Sequence, residues 1–119
     1  MEIKTFKELI VWQKSLVLVK EVYKLTSELP SFEQFGLANQ MRRAAVSIPS
    51  NIAEGKKRST RKDFKNFLHI ANGSAAELET QILITKDLYP KIGCTQAESI
   101  LIEVQKMLSV MIKKLKAKN

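Results

Sequence analysis

The chain has 119 residues, 45% of them apolar, with 20 Lys and Arg against 12 Asp and Glu, a net charge of +8 and a pI near 9.7. That length suits one domain, and the apolar share suffices for a core. No apolar run approaches the roughly 18 residues of a membrane helix, and the start at Met1–Thr5 lacks a signal peptide's apolar stretch. The single cysteine, Cys94, excludes an internal disulfide. The expectation is a full-length cytoplasmic protein with no membrane partner, whose excess charge favours an anionic one.

Four segments carry helical periodicity, each preceded by a Ser or Thr with Glu, Gln or Asp three residues later, the pattern of a capping box. The first follows Thr5…Glu8 and is predicted over residues 6–28. It is apolar on two stripes, Leu9, Trp12, Leu16, Val19 and Tyr23 on one, and Val11, Leu18, Val22 and Leu25 on the other. One core face needs only one stripe, so the second points to burial against another chain or to a thick helix. Pro30 stops it.

The second segment, predicted over 33–55, follows Ser31…Gln34 and aligns Leu37, Met41, Ala44, Ile48 and Ile52, with Gly36 able to delay its regular part and Gly55 as its stop. It contains Pro49, which leaves the Ala45 carbonyl without its helical donor and costs about 3 kcal/mol in a helix interior. A bend near Ser47–Asn51, or Ser47, Ser50 and Asn51 bonding the freed groups, is the expected response.

The third segment, predicted over 61–89, follows Thr60…Asp63 and lines up Phe64, Phe67, Ala71, Ala75, Leu78 and Ile82 before Pro90 and Gly93. Its small residues Ala71, Gly73, Ser74, Ala75 and Ala76 suggest that another backbone comes close, inside the protomer or from a second chain. The fourth, predicted over 96–116 after Thr95…Glu98, repeats Ala97, Leu101, Val104, Leu108, Met111 and Leu115 at alternating spacings of four and three, a left-handed bundle seam. Strand alternation is lacking. The short connections predict an all-α, antiparallel up-down-up-down four-helix bundle spanning residues 1–119 as a single domain.

Enzymatic chemistry finds little support. His69 is the only histidine, so neither a Ser-His-Asp arrangement nor a His-rich metal site can form, and it reads as a partly exposed helix residue. Glu77 and Glu79 point to different helix faces, and Glu77 suits an ion pair with Lys62, Arg42 or Arg43. Glycine-rich phosphate loops are absent, and Cys94 reads as a free, inert thiol. Neither cofactor nor metal is expected.

The cations are the candidate functional residues. Arg42 and Arg43 open a run that resumes as Lys56, Lys57, Arg58, Arg61, Lys62 and Lys65 at the junction of the second and third helices. A second cluster holds Lys113, Lys114, Lys116 and Lys118. Free amides at the start of the third helix would add a phosphate site. No aromatic residue is read as interleaving with the cations, which argues for backbone contact with little sequence preference over base stacking. A solvated charged face is the alternative. A helix-turn-helix repressor fits less well, because the third helix is too long and apolar for a recognition helix.

Ile10-Val11-Trp12-Gln13-Lys14, Tyr23-Lys24-Leu25-Thr26, Phe35-Gly36-Leu37 through Gly55, Asp63-Phe64, Phe67-Leu68, Ile70-Ala71, Gly73-Ser74 and Glu77-Leu78-Glu79-Thr80-Gln81 carry a resemblance. Over about residues 6–112 the chain resembles the four-helix-bundle proteins encoded in intervening sequences of bacterial 23S ribosomal RNA genes. The accessory variability protein of diversity-generating retroelements is related to them. The resemblance implies a homopentameric barrel with a basic surface and, in the retroelement branch, binding of nucleic acid and a reverse transcriptase. The rRNA in the family name describes gene location, not a demonstrated ribosomal role. The sequence therefore leads to a non-enzymatic oligomeric scaffold whose partners are itself and RNA or DNA. The alternative is a protein-interaction adaptor that binds no nucleic acid.

Overall fold

A computed structural model of the chain describes residues 4–117. Four α-helices, α1 (Ile10–Thr26), α2 (Leu37–Lys56), α3 (Arg61–Leu88) and α4 (Thr95–Ala117), are joined by short connections, with 3-10 turns at Phe6–Glu8 and Ser31–Glu33. Among the described residues there is no strand, and no helix is long and apolar enough to cross a membrane. α1 and α3 each pack against both α2 and α4, so the four helices surround one core in a body of 46 × 22 × 20 Å. Leu18, Val22, Met41, Ile48, Ile52, Leu68, Leu78, Val104 and Leu108 are wholly enclosed.

The helix starts depart from the sequence reading at three of the four expected caps: α4 begins at Thr95 itself, where the Glu98 amide donates to the Cys94 carbonyl at 2.9 Å, and the other two shifts lie at Thr5 and Ser31. Thr5 caps the 3-10 turn, its hydroxyl accepting from the Lys7 amide at 3.3 Å, and the extended Leu9 follows. α1 therefore starts at Ile10. Ser31 opens only a 3-10 turn, and α2 starts at Leu37. There the Glu33 carboxylate accepts from the Leu37 amide at 3.2 Å, a cap that Gly36 cannot supply. Thr60 caps α3 as expected, accepting from the Asp63 amide at 3.1 Å.

The two stripes of α1 exchange the roles expected of them. Val11, Leu18, Val22 and Leu25, with Ser15 between, form the core face. On the other stripe Leu9, Trp12 and Val19 are half-buried against the core, while Leu16 and Tyr23 are exposed. The apolar surplus of α1 is thus the outer stripe.

Pro49 is buried inside α2, which runs unbroken from Leu37 to Lys56. The side chains around it do brace the backbone, but past the position expected. Ser50 Oγ donates to the Val46 carbonyl at 2.8 Å, and Asn51 Nδ2 to the Ser47 carbonyl at 2.8 Å and to Ser47 Oγ at 2.9 Å. Those bonds reach the two carbonyls after Ala45. Ser47 Oγ also lies 2.8 Å from Ser74 Oγ, tying this region to α3.

The small residues of α3 divide. Ala71, Ser74 and Ala75 are buried, but Gly73 is exposed, and a Cβ there would meet nothing within 4 Å. Within the protomer no backbone approaches Gly73. The close approach occurs at Gly55, which is not a helix stop: it is buried in the last turn of α2, where a Cβ would lie 2.6 Å from Phe67 Cβ and 3.1 Å from Phe64 Cδ1.

Candidate nucleic-acid interface

The α2–α3 junction is tight because Gly55 lets the end of α2 lie on the first turns of α3. The Lys57 amide donates to the carbonyls of Ala53 and Glu54, the Arg58 amide donates to Gly55, and two residues later Thr60 starts α3. Ten residues, 56–65, therefore turn through a hairpin with six cations and one acid, Asp63. Nothing in this segment is held far from water.

The six cations fall into two kinds. Lys56 Nζ sits 5.8 Å above the Phe64 ring, and the Arg58 guanidinium 4.8 Å above Phe67. Arg58 also pairs with Glu54 at 2.9 Å, one helical turn back. Cation–π seating of this sort stabilises by about 0.5–1 kcal/mol at an exposed site. It also holds the two cations down against α3. Lys57, Arg61 and Lys62 are exposed and Lys65 is half-buried, and these four make no ion pair among the described residues.

Aromatics therefore do accompany the cations, contrary to the sequence reading. Phe64 and Phe67 lie under Lys56 and Arg58. The signal was a cation eight or nine residues before an aromatic, across a turn. Phe64 between Lys62 and Lys65 is visible in the sequence, but the seating of Lys56 and Arg58 on the rings is legible only once Gly55 is known to bring the helices together. One face of each ring is thus taken by a cation.

Arg42 and Arg43 are not part of this patch within one protomer. They precede Lys56 by about fourteen residues, roughly 20 Å along the axis of α2. Arg42 Nε donates to Thr26 Oγ1 at 2.8 Å, and its guanidinium lies 4.7 Å over Tyr23, so it locks α2 to the end of α1. Thr26 itself donates back to the Val22 carbonyl at 2.7 Å. Arg43 is exposed on a groove of about 290 Å³ between α2 and α3, shared with Gln40, Ser47, Glu77 and Gln81. Of the partners considered for Glu77, Arg43 is the one the fold brings to the same groove.

Lys113, Lys114 and Lys116 are exposed on the last turns of α4, and Lys118 lies outside the described residues. Elsewhere on α3 and α4 the carboxylates are engaged: Glu98 with Lys86 at 3.1 Å, Glu103 with Lys14 at 3.2 Å, and Glu79 with Gln105 at 2.9 Å. His69 is exposed on α3.

Residues 7–112 match the family model described as 23S rRNA-intervening sequence protein. Among solved structures the chain is similar to a protein of unknown function from the S23 ribosomal protein family of Bacteroides thetaiotaomicron VPI-5482, at 31% identity and a TM-score of 0.74. That alignment covers 87% of this chain and 99% of the other. The comparison with curated proteins finds no match.

Proposed function

The chain belongs to the 23S rRNA-intervening sequence protein family, and on that premise we propose that it is a non-enzymatic, oligomeric scaffold that binds RNA or DNA through phosphates at the α2–α3 junction. The observation that carries the reading is the set of unpaired cations, Lys57, Arg61, Lys62 and Lys65, beside the first turn of α3. Amides at a helix start favour anions, so the helix and the side chains act in the same sense. Contacts of this kind fix no base identity, and the covered faces of Phe64 and Phe67 add no stacking platform. Binding is therefore nearly indifferent to sequence.

The same reading takes the bundle as antiparallel, up-down-up-down. In its support, contacts between α2 with its preceding turn and α3 rise in number on one side as they fall on the other: Glu33 with Tyr89, Met41 with Thr85, Ser47 with Ser74, Gly55 with Phe67. Glu98 with Lys86 and Gln105 with Glu79 do the same for α4 on α3. On that topology Lys113, Lys114 and Lys116 come to the same end of the molecule as the junction, so the two clusters form one positive end. The proposed assembly is the homopentamer implied by the family resemblance, in the cytoplasm, each copy adding such an end.

The test is affinity for mixed-sequence RNA and DNA at several salt concentrations. For Lys57→Ala, Arg61→Ala and Lys62→Ala combined, affinity should drop about equally for all sequences. The slope of log K against log salt should flatten by about 2.7 on duplex and about 2 on single strands. Lys56→Ala with Arg58→Ala should flatten it much less, since these cations are already seated. Melting curves control for folding. Wild type that binds nothing at low salt, or a triple variant that binds unchanged, would hand the function to the adaptor reading.

A further inference from the structure

The least expected surface on the molecule is the turn between α1 and α2, where Phe32 is 77% and Phe35 88% exposed. Three i to i+3 bonds hold this turn, from the amides of Glu33 to Pro30, Gln34 to Ser31 and Gly36 to Glu33. The two rings stand three residues apart in this one turn, both open to solvent. The turn is also tied down. Leu29 is buried, and the Glu33 carboxylate accepts from both the Leu37 amide and the Tyr89 hydroxyl, the latter at 2.6 Å. Two rings of this kind offer on the order of 300–500 Å² of apolar area, the size of a functional patch.

The same chain carries a matching depression. A groove of about 490 Å³ runs between the start of α1 and the outer face of α4, walled by Leu9, Ile10, Met107, Val110 and Met111. Methionine sulfur and aromatic ring edges attract one another, and flexible methionines adapt to an inserted ring. The charges complement too. The turn 27–36 carries Glu28 and Glu33 and no cation. The groove is bordered by Lys106, with Lys113 and Lys114 one helical turn past Val110, and by one acid, Glu8, whose carboxylate accepts from the Lys4 amide. The rings and the groove stand at opposite ends of α1, about 25 Å apart, so no molecule can fill its own groove.

We infer that Phe32 and Phe35 of one copy seat in the Leu9–Met111 groove of a second copy. The inference rests on the oligomeric part of the reading above and names its contact. The interface is heterologous: each copy gives its turn to one neighbour and its groove to the other. Such a contact closes into a ring when successive rotations return to the start and otherwise runs on as a filament.

The test is mass in solution by sedimentation and light scattering, with circular dichroism melts to verify folding. Wild type should give a multiple of the 13.5 kDa protomer mass. Phe32→Ser with Phe35→Ser, and separately Val110→Asp, change only exposed positions and should each yield folded monomer. Removing one central aromatic anchor should weaken association about 30-fold. Mixing the two variants should restore a pair of twice the protomer mass and nothing larger, since each retains one intact half of the contact. Wild type that assembles while both variants keep its mass overturns this contact and leaves the oligomer standing. Monomeric variants that fail to pair overturn the fit of turn to groove. Wild type that is monomeric at every concentration removes both the contact and the assembly.

Discussion

At the scale of the residue, the position with least freedom is Gly55. Its missing side chain lets α2 and α3 meet, and the obstacle to a Cβ is the Phe67 Cβ at 2.6 Å, which cannot swing away as the end of a long side chain could. Gly55→Ala should therefore destabilise the protein by about 1–3 kcal/mol, the usual cost of overpacking, even though alanine favours helices. Chemical denaturation checks this, and unchanged stability would contradict the close approach. Cys94 makes a second case. Its burial, then the charge of Glu98, push the thiol pKa up, and Sγ donates to the Ile92 carbonyl at 3.7 Å. Less thiolate is present at neutral pH than in the unfolded chain, so an aromatic disulfide reagent should react slowly until the protein is denatured. By linkage, this group stabilises the fold fully below the ordinary thiol pKa and ceases to as pH rises through its raised value. Fast labelling of the native protein at pH 7 would show that Cys94 is open to solvent.

At the scale of the element, α2 and α3 are defined by what satisfies their first free amides. α3 has the clearest cap, and Thr60→Ala should cost about 1 kcal/mol, while Thr60→Asp should keep most of the stability by retaining the acceptor. Thermal unfolding of the two variants distinguishes the cap from mere loss of a side chain. α2 shows the opposite strategy. Gly36 has no side chain to cap with, so Glu33 reaches across one turn and simultaneously holds Tyr89 near the end of α3. Pro49 sits in the same helix among Ser50, Asn51 and Ser47, whose hydroxyl and amide groups bond the neighbouring carbonyls and link to Ser74. A proline there is tolerated because α2 is packed along its length by α1 and α3.

At the scale of the molecule, one continuous apolar cluster runs from Val11 through Ile112 and draws on all four helices. With no second core to melt separately, unfolding should be a single transition in which far-UV ellipticity and Trp12 fluorescence coincide. Trp12 is a suitable reporter because it packs on the core and meets the Phe6 ring edge-on at 5.2 Å. The proposed association adds a second expectation: the midpoint should rise with protein concentration, since assembly stabilises the folded state by mass action. A midpoint unchanged over a hundredfold range of concentration would speak against assembly.

What the sequence determined alone was the all-α class, the four helices and their approximate cores, because a 3.6-residue period and capping residues are local properties of the chain. The α1 stripe of Val11, Leu18, Val22 and Leu25 was visible, but not that it faces inward while Leu16 and Tyr23 face out. Both stripes are apolar, and only the neighbours α2 and α4 choose between them. The cations were legible as a list, yet their division was not. Arg42 is consumed by Thr26 and Tyr23, and Arg58 by Phe67, through contacts between residues 9 to 19 apart that depend on how helices meet; only the Arg58–Glu54 pair, four residues apart, is local. The role of Gly55 was misread for the same reason, since a glycine near a helix end looks like a stop until the opposing Phe67 is in place. Periodicity fixes what a segment becomes; packing decides which side of it is inside, and so which charges are left for a partner.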